Sequence, residues 1–279
     1  MKMKTLTFTL LSVFLSLSTT SCVNDSQRNI DTAISEHGKN TYQNETYVSY
    51  INRYGTSVIS RFNAPEGYKR VSSEKNSWAH SLQSLPLKPH GSKVKHYDGS
   101  YKLNTNAYLA VVDLPIGKRD LHQCADAVMR LRADYLYSQE KYNQIEFLFV
   151  SGKISRYKDW LKGNTPNPKN YWSYMENVFS YASTLSLDKQ LKHKNIKDIS
   201  IGDVFIKPGS PGHTVIVVDM CINLQGKVKF MLAQSYMPAQ EIQILVNPND
   251  LNSPWYDLDF GDYLNSSEYT FTKNQLKTF

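Results

Sequence analysis

Residues 202–222 read GDVFIKPGSPGHTVIVVDMCI, and they form the centre of the fold that we expect for the chain. Its two apolar runs, 203–206 and 214–222, flank a turn rich in glycine and proline, which is typical of two antiparallel strands. Two further strand-like segments follow at 227–233 and 241–246. Together the four segments predict an antiparallel meander in the last third of the chain.

Helices are predicted before this meander. One apolar stripe, at three- and four-residue steps, is formed by Leu121, Cys124, Ala125, Val128, Leu131 and Tyr135. Such a stripe is typical of a helix packed on a core. We expect Asp120 to be its N-cap, which would place Cys124 one turn inside the helix. Residues 171–185 predict a second long helix, and helices followed by a sheet indicate an α+β domain.

The amino terminus has the pattern of an export signal. Lys2 and Lys4 precede an uncharged, mostly apolar run at 5–17, and four small residues at 18–21 lead directly to Cys22. The run is too short to span a bilayer, so the pattern predicts a cleaved signal peptide. A cysteine directly after the cleavage zone predicts a lipoprotein with its lipid on Cys22. The alternative is an ordinary secretory signal followed by an incidental cysteine.

The rest of the chain is expected to divide into a tether and a domain. After the signal peptide at 1–21, residues 22–46 are polar and cannot bury enough apolar surface to fold alone, which predicts a lipidated tether. Residues 47–279 are expected to form a single α+β domain. We therefore expect the protein in the cell envelope, held to the membrane by its lipid, on the periplasmic side or at the cell surface.

Composition argues against some classes of function. The formal net charge is +7, with acidic and basic residues interspersed and no basic block that carries interleaved aromatic side chains. Nucleic acid is therefore not an expected partner. Four histidines lack the spacing of metal ligands: His80, His90, His96 and His122. Neither a metal ion nor another cofactor is expected.

Three residues are candidates for chemistry. Cys124 lies near the start of its predicted helix, His213 follows the glycine-rich turn, and Gln234 ends the next strand. Because antiparallel neighbours bring the start of one strand beside the end of the other, His213 and Gln234 are expected to touch. A thiol attacks an amide as the thiolate, an imidazole takes and returns the proton, and a third polar group orients the ring. The three residues therefore predict a nucleophile, a general base and an orienting residue.

The strands around His213 resemble those of a known class of enzymes. Residues 202–205 and 212–218 resemble the Gly-Asp strand and the His-led strand of papain-like wall amidases, the NlpC and CHAP groups. The resemblance implies a papain-like arrangement, with N-terminal helices, including the Cys helix, packed on the antiparallel sheet. It implies a cysteine amidase or peptidase that acts on wall peptides or another envelope amide, and Cys124, His213 and Gln234 match its chain order.

A second resemblance covers nearly the whole mature domain. Residues 119–130 and 233–241 resemble an uncharacterised family of envelope lipoproteins. That family implies no activity of its own.

The role of Cys124 stays open at this stage. It lies on the apolar stripe of its helix, where a buried cysteine commonly serves only as packing. Gln123 and Ala125 flank it, whereas the amidases usually place Asp before the cysteine and Ser or Gly after it. One alternative function is a non-catalytic envelope lipoprotein that binds glycan, peptide or protein through the same cleft, and another is a structural lipoprotein with no small ligand. The envelope also permits disulfides, so a bridge between Cys124 and Cys221 stays open.

Two supporting residues carry alternatives of their own. Ser235 can take the orienting role in place of Gln234. Asp203 is either a hydrogen-bond acceptor behind the three candidates or only the beginning of a strand.

Overall fold

The longest strand among the described residues is formed by the apolar run that follows the glycine-rich turn. The computed structural model describes residues 50–279, and within them the first nine residues of strand β7 (His213–Asn223) are buried. Strand β7 pairs antiparallel with β6 (Val204–Lys207) on one side and with β8 (Val228–Gln234) on the other. Strand β9 (Gln243–Leu245) continues the sheet beyond β8. The predicted four-strand meander is therefore confirmed.

Other strands extend this meander into a large antiparallel sheet. They are β1 (Tyr68–Arg70), β2 (Tyr108–Val111), β5 (Lys192–His193), β10 (Tyr256–Asp257) and β13 (Leu276–Thr278). The order across the sheet is β2-β9-β8-β7-β6-β13-β5, with β1 paired to β7 and β10 paired to β8. Two hairpins lie apart from it: β3 (Glu146–Leu148) with β4 (Ile154–Arg156), and β11 (Tyr263–Asn265) with β12 (Thr270–Thr272). The described residues belong to one compact unit with a mixed α/β fold.

The sheet is accompanied by α-helices of 4 to 15 residues in the described part of the chain. Those in the described residues are α1 (Val58–Arg61), α2 (Trp78–Gln83), α3 (Cys124–Ser138), α4 (Tyr157–Leu161), α5 (Pro168–Tyr181) and α6 (Thr184–Gln190). Helix α3 packs on β7 and β8. The single helix predicted at 171–185 is wrong, because Ser183 caps a new helix there. Its hydroxyl accepts a hydrogen bond from the N–H of Leu185 at 3.2 Å, so α5 and α6 are separate.

Helix α3 begins three residues later than predicted. The carboxylate of Asp120 does not cap it, because that group accepts hydrogen bonds from the N–H of Ala239 at 2.7 Å and from the side chain of Gln123 at 3.1 Å. Gln123 is the N-cap residue, and its own N–H donates to Asp126 at 3.0 Å. Cys124 is therefore the first residue of the helix, where free N–H groups and the positive end of the dipole lie.

The predictions for the amino terminus fall outside the structure. The signal peptide at 1–21, the lipid site at Cys22 and the tether at 22–46 precede the described residues. Within residues 50–279, no helix combines the length and the apolar character needed to cross a bilayer.

Candidate functional site

A cleft of about 230 Å³ opens beside the first turn of α3. Four parts of the chain line it: the start of α3, the junction between α5 and α6, the glycine-rich turn before β7, and Met237 after β8. The lining residues include Gln123, Cys124, Asp126, Phe179, Thr184, Gly209, Pro211, Gly212 and Met237. The cleft therefore gives access to Cys124 from the side of the turn at 209–212.

Gly212 holds this turn against α6. A Cβ atom at this position would lie 2.5 Å from the carbonyl oxygen of Gly209 and 2.6 Å from the hydroxyl oxygen of Thr184. Contacts this short require backbone to move, so only glycine fits without rearrangement. Since His213 follows directly, the same close packing positions the imidazole relative to the cleft.

The thiol of Cys124 lies against the backbone next to His213. The backbone N–H groups of Ala125 and Thr214 act on the sulfur and favour the thiolate. Burial has the larger effect and, together with the nearby carboxyl of Asp126, it raises the pKa of the thiol to about 11. Among the described residues there is no direct hydrogen bond between the thiol and the imidazole of His213. Both groups are uncharged at neutral pH.

His213 and Gln234 are in direct contact, as predicted. His213 begins β7 and Gln234 ends β8, and the distance between Nε2 of the imidazole and Oε1 of the amide is 2.7 Å. The rings of Tyr236 and Tyr269 lie 4.8 and 4.9 Å from the imidazole, centroid to centroid, and enclose it. This burial lowers the pKa of His213 to about 4, although Gln234 and Glu268 act to raise it. The imidazole is therefore neutral at neutral pH, with one of its two ring nitrogens unprotonated.

Two charged residues that sequence reasoning missed lie behind Gln234. The amide nitrogen of Gln234 donates a hydrogen bond to Glu268 at 2.6 Å. Glu268 also accepts hydrogen bonds from Lys102 at 2.5 Å and from Asn104 at 3.2 Å. Lys102 and Glu268 are 166 residues apart in the sequence. No local motif marks either residue, so only the fold reveals them.

Asp203 is not brought into this cluster. It precedes β6, whose far end, Lys207, is the residue paired with His213. The carboxylate of Asp203 instead binds Lys194 at 2.7 Å and accepts a hydrogen bond from the N–H of Ser200 at 2.7 Å. Its contacts therefore fasten the beginning of the strand.

Ser235 and Cys221 also lie apart from the imidazole. The hydroxyl of Ser235 donates to the carbonyl oxygens of His122 at 3.0 Å and Gln240 at 2.8 Å. Of the two candidates for the polar partner, Gln234 is thus the one that contacts His213. Cys221 lies near the other end of β7, and both it and Cys124 are free thiols. The open question of a disulfide between them is answered in favour of separate thiols.

No metal site accompanies this arrangement in the described part of the chain. No group of three or more His, Cys, Asp or Glu side chains in residues 50–279 is placed to hold a metal ion.

Fold and site together define a mixed α/β protein with a buried cysteine at a cleft and a buried, hydrogen-bonded histidine–glutamine pair that begins one residue away from the backbone touching the sulfur. The chain belongs to the family described as a domain of unknown function (4846), whose model matches residues 58–278. This agrees with the resemblance to an uncharacterised family. No curated protein and no solved structure matches the chain.

Proposed function

We propose that the protein is a papain-like cysteine hydrolase of the cell envelope that cleaves an amide, with wall peptide as the substrate class. The observation that carries the proposal is the placement of three side chains from distant segments. Cys124 begins a helix beside a cleft, its sulfur lies against the residue after His213, and His213 is hydrogen-bonded to Gln234. A nucleophile, a base and an orienting group in this order are what amide hydrolysis through a thioester requires.

The chemical steps follow from these positions. The thiol proton of Cys124 passes to Nδ1 of His213 while the sulfur attacks the carbonyl carbon of the substrate. The tetrahedral intermediate collapses, the C–N bond breaks, and the imidazolium returns the proton to the leaving amine. Water, deprotonated by the same imidazole, then hydrolyses the thioester and restores the thiol.

Before substrate binds, the thiol of Cys124 and the imidazole of His213 are both neutral, and their pKa values determine when the thiolate forms. Moving a proton from a thiol with a pKa of about 11 to an imidazole with a pKa of about 4 costs about 10 kcal/mol, before any attraction between the charges. An enzymatic turnover of about 10 per second has a barrier of about 16 kcal/mol, so this cost fits inside it. We infer that proton transfer is coupled to attack on bound substrate, and that a standing ion pair is not formed beforehand.

The start of α3 supplies the stabilising groups for the developing negative charge. The first N–H groups of a helix have no carbonyl partner within the helix. At α3 the N–H of Ala125 already acts on the sulfur. A carbonyl oxygen bound beside Cys124 would meet these donors and the positive end of the helix dipole, which favours an oxyanion.

A second candidate function is a non-catalytic binding protein that uses the same cleft. The observation in its favour is Cys124 itself, a residue that is only 7 % exposed and whose thiol has a pKa raised by burial. A cysteine with these properties is commonly a packing residue. In this case the cleft would bind envelope glycan, peptide or protein without cleaving it.

The cellular setting is proposed from the amino terminus. The charged start, the apolar run and Cys22 support export followed by lipid attachment. The polar segment 22–46 would then let the domain reach material in the envelope while the acyl chains hold it to the membrane.

Incubation of the purified protein with wall fragments, followed by mass spectrometry of the products, is the direct test. The parent should release peptide fragments, and Cys124→Ala and His213→Ala should not. Cys221→Ala is the matched control, because Cys221 is also a buried free thiol and should be dispensable. If the parent cleaves nothing and Cys124→Ala binds the same fragments as tightly, the binding function replaces the hydrolase.

A further inference from the structure

The hydrogen bonds of the site continue beyond Gln234 to a buried ion pair. Glu268 accepts from the amide nitrogen of Gln234 at 2.6 Å, and Lys102 donates to the same carboxylate oxygen at 2.5 Å. Both charged groups are shielded, with side chains 6 % exposed for Lys102 and 12 % exposed for Glu268. The ammonium of Lys102 also lies 5.3 Å from the centre of the Tyr236 ring. An ion pair in such surroundings has few alternative partners, so its geometry constrains what touches it.

The donor and acceptor groups in this series of hydrogen bonds determine the orientation of the Gln234 amide. A carboxylate held by a lysine can only accept hydrogen bonds, so Gln234 must present its NH₂ group to Glu268. The amide oxygen is then left to face His213, and an oxygen cannot donate. The imidazole must therefore donate through Nε2–H, which leaves the lone pair on Nδ1.

We propose that Glu268 and Lys102 are positioning residues that hold His213 in the tautomer able to take the proton of Cys124. The inference deepens the proposed hydrolase and rests on it for its catalytic meaning. If the Gln234 amide rotated by half a turn, its NH₂ group would point at Nε2 and select the tautomer with hydrogen on Nδ1. That tautomer cannot accept a proton at the nitrogen assigned to Cys124. Glu268 opposes this rotation because it would bring two acceptor oxygens together.

The aromatic enclosure makes the constraint effective. The rings of Tyr236 and Tyr269 pack against the imidazole, with centroid-to-centroid distances of 4.8 and 4.9 Å. Gln234 is also buried. Water is thereby kept from offering the amide or the ring another partner. Glu268 is therefore the group that decides which end of Gln234 faces His213.

The test is the tautomer of His213, measured by NMR on protein labelled with ¹⁵N in its histidine rings. The His213 signals are assigned by their loss in His213→Gln. The parent at pH 7 should show hydrogen on Nε2 and a bare Nδ1. The charge-neutral double variant Lys102→Met/Glu268→Leu should reduce the ratio of the Nε2–H tautomer to the Nδ1–H tautomer by about tenfold or more. A tenfold change corresponds to the net free energy of about one hydrogen bond. Glu268→Gln, whose amide can either accept or donate, should give an intermediate ratio and serves as the second variant if the double variant does not fold.

The matched control removes another partly buried Lys–Glu pair. Lys88 and Glu241 form such a pair away from His213, so Lys88→Met/Glu241→Leu should lower stability without changing the tautomer. A parental ratio in both Glu268 variants would overturn the proposal and leave the Lys102 pair as a structural contact only. Because the readout needs no substrate, it separates this inference from the hydrolase. A parent that cleaves nothing but shows the expected tautomers would refute the hydrolase alone.

Discussion

Replacing His213 by Gln should remove an acid sensitivity that the buried imidazole builds into the fold. Burial lowers the pKa of His213 from 6.5 to about 4, so the folded protein resists a proton that the unfolded chain accepts. The contribution of the neutral His213 imidazole to the free energy of unfolding is therefore complete above pH 6.5 and is lost as the pH falls towards 4. Between pH 8 and pH 5 the loss works out at about 2 kcal/mol, at 1.36 kcal/mol for each pH unit below 6.5.

The measurement is urea unfolding of the parent and of His213→Gln at pH 8, 6 and 5. Glutamine can still donate to Gln234 but does not titrate, so the variant lacks the pH-dependent loss of stability that His213 causes in the parent. Only the difference in unfolding free energy between parent and variant is diagnostic, because other buried groups titrate in both proteins. Asp126, whose pKa burial raises to about 8, gains stability as the pH falls, and His122, whose pKa burial lowers to about 3, loses it.

The difference in unfolding free energy between parent and variant should shrink by about 2 kcal/mol from pH 8 to pH 5. His193→Gln is the control, because His193 is exposed and its replacement should leave the parental pH dependence in place. A difference that stays constant across this range would refute the reasoning, since it would mean that His213 takes up its proton equally well in the folded and unfolded chain.

Further outcomes are expected from single substitutions. Cys124→Ala should abolish cleavage of wall fragments yet change the unfolding free energy by less than about 1 kcal/mol, because the side chains are similar in size; a larger loss in urea unfolding would point to packing. Gln234→Ala should lower the turnover rate less than His213→Ala does, because orientation is a smaller effect than proton transfer; equal losses in a rate assay would contradict this. Gly212→Ala should lower stability by about 1–3 kcal/mol, since its Cβ would lie 2.5 Å from a backbone oxygen; an unchanged melting temperature would argue against a rigid turn. Cys22→Ser should leave a protein that no longer floats with membranes, and unchanged flotation would refute the lipid anchor.

The sequence by itself predicted the elements whose formation depends on local chemistry. A run of apolar residues bounded by glycine and proline forms the strand His213–Asn223, and the next segments pair with it in chain order. The contact between His213 and Gln234 was expected from the order of the strands, because consecutive antiparallel strands place the start of one near the end of the next. Local periodicity therefore sufficed for the meander and for half of the candidate site.

The tertiary structure decided what depends on partners distant in sequence. Asp120 looked like a helix cap, but a hydrogen bond from Ala239 engages its carboxylate, and Cys124 moves to the first position of the helix as a result. Glu268 binds Gln234, which is 34 residues away in the sequence, and Lys102 binds Glu268, which is 166 residues away. No periodicity records such contacts, because they arise only when separate segments pack together. The protonation states of the cysteine and the histidine depend in the same way on burial, which is a property of the folded chain.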